Sequence, residues 1–327
     1  MAIGIRSTGS YLPQRVVTND ELAAQVDTSD AWIVARTGIR TRRRAAPGTA
    51  SSDLGAAAAQ RALAKAGLSP HQVDGLVVAT SSPDWVQPAT ACAVHAKLGL
   101  TGGPSFDVSA VCSGFVYALV TAAGLMTAFD QFQRLLVVGC EIYSQILDFE
   151  DRSTSVFFGD GAGAVLLAPV PDGYGVLSTS LQTDSTLLEI VGIPAGGSAE
   201  PTSAETLAAG RHYFRMDGAV VWDFATSALP LVIKQALAEA GLSIDEIDLL
   251  ITHQANRRII EAVGAALDVP LHKVPMTVDR YGNTAAASIP ITLDEAVADG
   301  RLHRGSHVVL AAVGGGMTAG AVVLRWY

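Results

Sequence analysis

Ala62-Leu-Ala-Lys-Ala-Gly-Leu-Ser69, followed by Val73-Asp-Gly-Leu-Val-Val78, returns as Ala236-Leu-Ala-Glu-Ala-Gly-Leu-Ser243, followed by Ile247-Asp-Leu-Leu-Ile-Thr252. In each copy an Ala/Leu-rich run ends at a glycine and a short apolar run follows. That pattern is a helix stopping at a glycine C-cap, then a buried strand. The copies stand 174 residues apart, position 236 against position 62, about half of a 327-residue chain. A second pair, Gly161-Ala-Gly-Ala-Val-Leu-Leu167 and Thr318-Ala-Gly-Ala-Val-Val-Leu324, keeps the order at a different spacing, as insertions in one half would give. Ala/Leu/Gly-rich helices can match by accident, but two pairs in one order at half-chain spacing argue for duplication. The period is far too long for a solenoid. The expectation is two similar α/β halves, 1–170 and 171–327. Strand-like runs at Leu76–Ala79, Leu135–Val138, Ala164–Leu167, Leu249–Thr252 and Val308–Ala311 alternate with helical stretches. Mixed sheets covered by helices follow from that alternation. Residues 192–206 have loop composition.

Hydrophobic residues make up 49% of the chain and aromatics only 6%, so small side chains must do most of the packing. The net charge of −9 offers no positive field for a polyanion, which argues against nucleic acid as a partner. Three cysteines, Cys92, Cys112 and Cys140, are too few and too scattered for a disulfide framework. They point to a reducing, cytoplasmic setting, and no ligand spacing suggests a metal. The N-terminus shows no basic stretch followed by an apolar one, so no secretory signal is expected. The apolar run from Gly114 to Phe129 is too short for a bilayer and reads as a buried core helix rather than a membrane span.

Three residues stand at element ends. Cys112 lies in Phe106-Asp-Val-Ser-Ala-Val-Cys-Ser-Gly-Phe115, between a β-like run and the long apolar helix. A thiol at a helix N-terminus meets free N–H groups and the positive end of the dipole, which lower its pKa. A cysteine can equally be a small core residue, and Cys92 and Cys140, lacking such a junction, are assigned to the core. His253 abruptly closes the apolar run 249–252, with Asn256 three residues on, so both can face one cavity. Asn283, in Tyr281-Gly-Asn-Thr-Ala-Ala-Ala-Ser-Ile-Pro290, could be a plain N-cap. It also lies 171 residues after Cys112, position 283 against 112, close to the repeat offset. The two then read as equivalent helix starts facing a shared site. Val313-Gly-Gly-Gly-Met-Thr-Ala-Gly320 is either a tight turn or a backbone that approaches a ligand and aims N–H groups at an oxyanion. Arg36, Arg40, Arg42, Arg43 and Arg44 crowd nine positions of an acidic chain. They form either a solvated loop or a positive mouth for phosphates.

Together these motifs resemble the 3-oxoacyl-[acyl-carrier-protein] synthase III family, as do Asp27-Thr-Ser-Asp-Ala-Trp-Ile-Val-Ala-Arg-Thr-Gly-Ile-Arg40 and Phe158-Gly-Asp-Gly-Ala-Gly-Ala164. The resemblance spans the chain in order. It implies an internally duplicated thiolase fold of five layers, α-β-α-β-α, and a homodimer. It implies acyl-CoA as the first substrate and a malonyl thioester, carried by acyl carrier protein, as the second, with no permanently bound cofactor. The implied roles are Cys112 as nucleophile and His253 and Asn283 as donors to the malonyl thioester. The N–H groups of Cys112 and Gly315 would form the oxyanion site. Trp32 and Arg152 would sandwich the adenine, with Thr28 hydrogen-bonding it, Arg36 on phosphate, Asn256 on pantetheine and Arg258 docking the carrier.

Some positions depart from the family pattern. Ala265, Ala266 and Asp223 stand where lysines are common, which weakens steering of an acidic carrier protein. A starter-unit enzyme of specialised metabolism, with another carrier or CoA as acceptor, is the alternative. Val313 replaces a common Phe, and the stretch Ser81–Pro88, with Trp85, is also unusual. Ala312 occupies the place where a thiolase has its second cysteine, which argues against non-decarboxylative chemistry. A papain-like protease would order Cys, His and Asn the same way, but its cysteine signature is absent and it leaves the repeat unexplained. An inactive condensing-enzyme subunit would have lost its cysteine.

Overall fold

The computed structural model describes residues 2–327. Strands β1 (Ala2–Tyr11), β2 (Gly75–Ala79), β3 (Ser105–Val108), β4 (Leu135–Glu141) and β5 (Gly161–Val170) form one sheet in the order β1-β5-β4-β2-β3. Strands β6 (Gly175–Thr183), β7 (Leu249–Thr252), β8 (His307–Gly314) and β9 (Thr318–Arg325) form a second in the order β6-β9-β8-β7. The second order repeats the first four positions of the first. Both sheets are mixed: β2 runs parallel to β4 and β7 to β8, while β5 and β9 lie antiparallel to their neighbours. Strands β2 and β4 are apolar without alternation because both of their faces are covered.

Seven helices supply the cover: α1 (Asp30–Thr37), α2 (Ser51–Ala66), α3 (Thr90–Leu98), α4 (Gly114–Ala128), α5 (Gly218–Ala240), α6 (Arg257–Ala266) and α7 (Ser288–Ala298). Helices α2 and α3 pack on the outer face of the first sheet, and α5 and α6 on the outer face of the second. Helices α4 and α7 lie between the sheets, giving the five layers α-β-α-β-α. Helix α4 is the core helix expected from its sequence, since Phe115, Val116, Ala118, Leu119 and Ala122 are buried around its circumference.

The repeated glycines act as read. Gly67 ends α2 at φ 68° and Gly241 ends α5 at φ 69°, each followed by a leucine whose N–H reaches back into the last turn. The equivalence between inner helices needs correction. Helix α4 opens from a tight turn over Val111–Ser113 and α7 from one over Ala285–Ala287. Val111 (φ 47°) and Ala285 (φ 44°), 174 positions apart, both begin their turns in the left-handed region. The counterpart of Cys112 is therefore Ala286, and Asn283 precedes the second turn. Cys92 is a further correction: it is exposed on α3, whereas Cys140 is buried. Within 192–206 the chain is loop except for the ends, where Val191–Gly192 pairs with Arg215–Met216 and Ala204 begins a short helix capped by Ser203.

Candidate active site

One cleft of about 710 Å3, mouth included, is lined by Cys112, His253, Asn283, Gly315 and Asn256, residues drawn from both halves. Phe157, Phe158, Val191, Phe214, Met216, Trp222, Val313 and Met317 make the rest of its wall largely apolar.

Cys112 sits in the turn between β3 and α4 and is 9% exposed. Ser113 steadies that turn by hydrogen-bonding Ala110 O at 2.8 Å and the Thr318 hydroxyl, also at 2.8 Å. Gly314, at the end of β8, presses on the same turn: a Cβ there would lie 2.4 Å from Ala110 O and 3.0 Å from Cys112 N. The stretch is the tight turn that joins β8 to β9, with Gly314 paired to Thr318, and the glycine lets that strand end press on the Cys112 turn. The lowered thiol pKa expected at a helix start is reversed in this cleft. Burial pushes the Cys112 thiol up and the Glu141 carboxylate adds to it, against its own N–H and a hydrogen bond from Tyr143.

His253 follows β7 directly, its N–H bonded to Ala311 O at 2.8 Å. Burial holds its pKa down at about 3, so the ring is neutral at pH 7. Its tautomer follows from its partners. Nδ1 lies 2.7 Å from Ser288 Oγ, which already accepts the Gln254 N–H at 3.3 Å. A Ser288 hydroxyl that gives its hydrogen to Nδ1 leaves the ring proton on Nε2. Asn283 is locked similarly. Its N–H bonds Phe157 O at 2.8 Å, and its Oδ1 accepts the Ala285 N–H at 2.8 Å. With Oδ1 taken, the Nδ2 hydrogens are the free end of the amide. The cleft therefore presents two neutral N–H donors beside a sulfur. Asn256 is the residue that caps a helix: its Oδ1 accepts the Arg258 N–H at 2.7 Å at the start of α6.

Outside the cleft, Trp32 on α1 is flanked by Arg36 and Arg152, whose guanidinium carbons lie 5.0 and 5.3 Å from the ring centre. Nearby, Thr28 Oγ1 is buried with no hydrogen-bond partner. Arg258 lies over Trp222 at 5.7 Å, and Arg40, Arg257 and Arg258 border a second depression. The arginine cluster is not one mouth. Residues Thr41–Arg44 form a strand against Arg15–Thr18. Arg42 is 2% exposed and donates to Asn19 Oδ1 at 2.7 Å and Val156 O at 2.8 Å. Arg43 donates to Pro13 O and Gln14 O, and Arg44 lies over Phe149. Only Arg36 and Arg40 stay with the candidate phosphate surface.

Sequence reasoning missed Ser288, Tyr143 and Glu141. Glu141 closes the apolar run of β4 as His253 closes that of β7, so the same signal was present. Ser288 and Tyr143 carried none, because a serine in a helix start and a tyrosine after a strand are ordinary.

A sulfur at the start of an inner helix, between duplicated sheets and beside two uncharged donors, suits acyl transfer through a thioester. That is the class of the thiolase-fold acyltransferases. The family models for 3-oxoacyl-[acyl-carrier-protein] synthase III match residues 106–185 and, for its C-terminal part, 237–326. Beta-ketoacyl-[acyl-carrier-protein] synthase III of Desulfitobacterium hafniense is 47% identical over 326 residues, covering 100% of this chain and 98% of its own. The crystal structure of 3-oxoacyl-[acyl-carrier-protein] synthase III from Aquifex aeolicus superposes with a TM-score of 0.92 at 41% identity, covering 99% and 100% of the two chains. The priming beta-ketosynthase of the R1128 polyketide pathway superposes with a TM-score of 0.92 at 32% identity over 99% and 96%. The chain belongs to the 3-oxoacyl-[acyl-carrier-protein] synthase III family, acyltransferases that initiate chain building by Claisen condensation.

Proposed function

We propose that the chain joins an acyl group from acyl-CoA to a malonyl unit on acyl carrier protein, through an acyl-Cys112 intermediate. The observation that carries this is the one cleft that Cys112, His253 and Asn283 line together, with His253 Nδ1 beside Ser288 and Asn283 Oδ1 taken by the Ala285 N–H. Cys112 attacks the acyl-CoA thioester, and the N–H groups of Cys112 and Gly315 hold the oxyanion. CoA leaves and a malonyl thioester enters. His253 Nε2–H and Asn283 Nδ2–H then bond its thioester oxygen while CO2 departs, and the carbanion attacks the acyl-enzyme. Both donors are neutral and fixed before the charge develops, so they lose nothing to reorientation. Such a donor contributes about 3–4 kcal/mol to the transition state. Decarboxylation itself generates the nucleophile, so no base has to remove a carbon-bound proton.

For CoA, we assign Trp32 and Arg152 to the adenine, Thr28 to its hydrogen bond, Arg36 to phosphate and Asn256 to the pantetheine arm. The unpartnered Thr28 hydroxyl supports this. An adenine entering beside Trp32 displaces Arg152, whose Nη1 holds Asp27 O at 2.9 Å. Arg258 meets the carrier protein at the rim. Asp223, exposed next to Trp222 on α5, opposes an acidic carrier and favours, as a second reading, a pathway-specific carrier or a CoA acceptor in specialised metabolism. We further assign the halves to 1–170, bearing the nucleophile, and 171–327, bearing the donors. The cytoplasm is the proposed location, supported by the three unpaired cysteines. A homodimer is proposed from the loop after Ser81, where Trp85 and Val86 are 55% and 92% exposed and suit a second copy.

The test is intact-protein mass spectrometry after exposure to a panel of acyl-CoAs. A single acyl adduct on the wild type, absent from Cys112→Ser, is expected, and its mass names the starter unit. An undiminished adduct on Cys112→Ser refutes the nucleophile assignment.

A further inference from the structure

The end of β4 carries a carboxylate that the mechanism above does not use. Glu141 is fully buried. Its Oε1 accepts from Ser81 N at 3.0 Å, Ser81 Oγ at 2.9 Å and Ala286 N at 3.4 Å. Its Oε2 accepts from Ser82 N at 3.0 Å, Ser82 Oγ at 2.5 Å and Thr80 Oγ1 at 3.3 Å. All of these are neutral donors, and among the described residues no lysine, arginine or histidine bonds it. Burying a carboxylate without a cation is costly, so its presence calls for a reason.

The reason lies at Ala286, the middle residue of the turn Ala285–Ala287. Asn283 and His253 take their orientation from the two ends of that turn. Before it, Asn283 Oδ1 accepts the Ala285 N–H at 2.8 Å. After it, Ser288 opens α7 and places its Oγ 2.7 Å from His253 Nδ1. The turn needs support. Ala285 begins it at φ 44°, a left-handed conformation that is costly without glycine and persists only where the surroundings hold it. Ala286 is 1% exposed, so its N–H has no water to turn to if the carboxylate is lost. The same strand end meets the turn a second time. A Cβ on Gly139 would stand 2.5 Å from Ala286 O, 2.9 Å from Ala286 C and 3.2 Å from Ala287 Cα.

The duplication supplies a counterpart to this contact. Gly161 and Thr318 begin the repeated stretches of β5 and β9. Glu141 pairs with Gly161, and Gly314 with Thr318, so Glu141 and Gly314 hold equivalent places, as Ala286 and Cys112 do. Each strand end presses on the inner turn of the other half. Gly314 meets the Cys112 turn by bare backbone, whereas the end of β4 meets the Ala286 turn with both Gly139 and a carboxylate.

We propose that Glu141 is a positioning residue for the condensation half-reaction. It braces the Ala285–Ala287 turn, so that Asn283 and, through Ser288, His253 hold their N–H groups at the malonyl thioester oxygen. The proposal rests on those two residues being the donors. The place suits a group with two acceptor oxygens, because backbone N–H groups reach both: those of Ser81 and Ala286 on one, that of Ser82 on the other. A glutamine turns its NH2 against one of these N–H groups whichever way it lies. Acylation of Cys112 depends on the other turn, which Gly314 braces. Loss of the Glu141 brace therefore acts on one half-reaction and spares the other.

The experiment follows the two half-reactions separately. Acylation of Cys112 by acetyl-CoA is timed by intact-protein mass spectrometry. The acyl-enzyme is then mixed with malonyl-acyl carrier protein carrying 14C in its free carboxyl, and 14CO2 is counted per acylated Cys112, so that unfolded protein drops out of the measurement. Two variants disturb the turn by different means. Glu141→Gln is expected to slow 14CO2 release about ten- to a hundredfold, the effect of losing one hydrogen bond to a charged group. Gly139→Ala keeps the carboxylate but pushes the turn by about 0.9 Å, the difference between 3.4 and 2.5 Å, and is expected to slow release about a hundredfold. Both should acylate within about threefold of wild type. A purely structural role would reduce the folded fraction, which leaves both rates per acylated site unchanged or lowers both alike. Unchanged 14CO2 release in Gly139→Ala, or equal losses in the two half-reactions, overturns the proposal even if Glu141→Gln fails to fold. Unchanged release in Asn283→Ala would instead overturn the donor reading, and the brace with it.

Discussion

Gly314→Ala tests whether the site depends on the approach of β8 to the nucleophile turn. The added Cβ would stand 2.4 Å from Ala110 O, 2.8 Å from Ser113 N and 3.0 Å from Cys112 N, where ordinary contact begins at 3.4 Å. All three neighbours are backbone atoms, so no rotamer change relieves the clash. The turn and the glycine stretch must part by about 1 Å, the difference between 3.4 and 2.4 Å. The N–H groups of Cys112 and Gly315 sit on opposite sides of that gap, so the oxyanion site widens by the same amount. A misplacement of ~1 Å costs about a hundredfold in rate, while overpacking costs ~1–3 kcal/mol of stability, which a domain of this size withstands. Stopped-time mass spectrometry of acyl-Cys112 should show the hundredfold loss, with iodoacetamide alkylation changed far less, because alkylation builds no oxyanion. Gly124→Ala is the matched control. Gly124 lies inside α4 with open space where its Cβ would go, so the substitution should leave the rate alone and stabilise the helix by ~0.5–1 kcal/mol. Acylation by Gly314→Ala within threefold of wild type would refute the geometric reasoning.

His253→Ala and Asn283→Ala should still form the acyl-enzyme but release 14CO2 from malonyl donors about 100- to 1,000-fold more slowly. Unchanged decarboxylation in both would show that these donors do not face the malonyl thioester. Arg36→Ala should raise the KM for acyl-CoA with little change in thermal stability. Arg42→Ala should do the reverse and destabilise by about 2–4 kcal/mol, since it orphans Asn19 Oδ1 and Val156 O. A raised KM in Arg42→Ala with stability intact would restore it to the phosphate surface. The stability of the fold should also depend on pH through two opposed groups. His253, held at about 3, contributes stability that is present above 6.5 and lost as pH falls. Glu141, raised to about 7, contributes stability that is present below 4.5 and lost as pH rises. Glu141→Gln should therefore steepen the loss of stability between pH 7 and 4.5 in urea titrations. An unchanged slope would mean that Glu141 is not protonated in that range.

The architecture was readable because its causes are local. Apolar runs too continuous for a half-exposed strand reported strands covered on both faces. Glycines at 67 and 241 reported helix ends whose left-handed φ other residues avoid, and their spacing reported the duplication. The candidate nucleophile and His253 were visible for the same reason, since each interrupts an apolar run at its end. The finer chemistry was set elsewhere. The Nε2 proton of His253 depends on Ser288, the free end of Asn283 on a turn that begins two residues later, and the steadiness of the Cys112 turn on Thr318, 205 positions from Ser113.

Arg42 illustrates the other side. Five arginines within nine positions look alike as sequence, but a strand sends alternate side chains to opposite faces. One of those faces is the interior, where Asn19 and the carbonyl of Val156 await a guanidinium. Likewise the spacing of Asn283 from Cys112 suggested equivalent helix starts, whereas the backbone angles put the true register three residues later, at Ala286. Sequence alone determined which segments pack and where polar groups break them. Tertiary structure decided which hydrogen bonds those groups use, because hydrogen-bond partners are chosen by proximity in space, and proximity exists only once the two sheets have closed on α4 and α7.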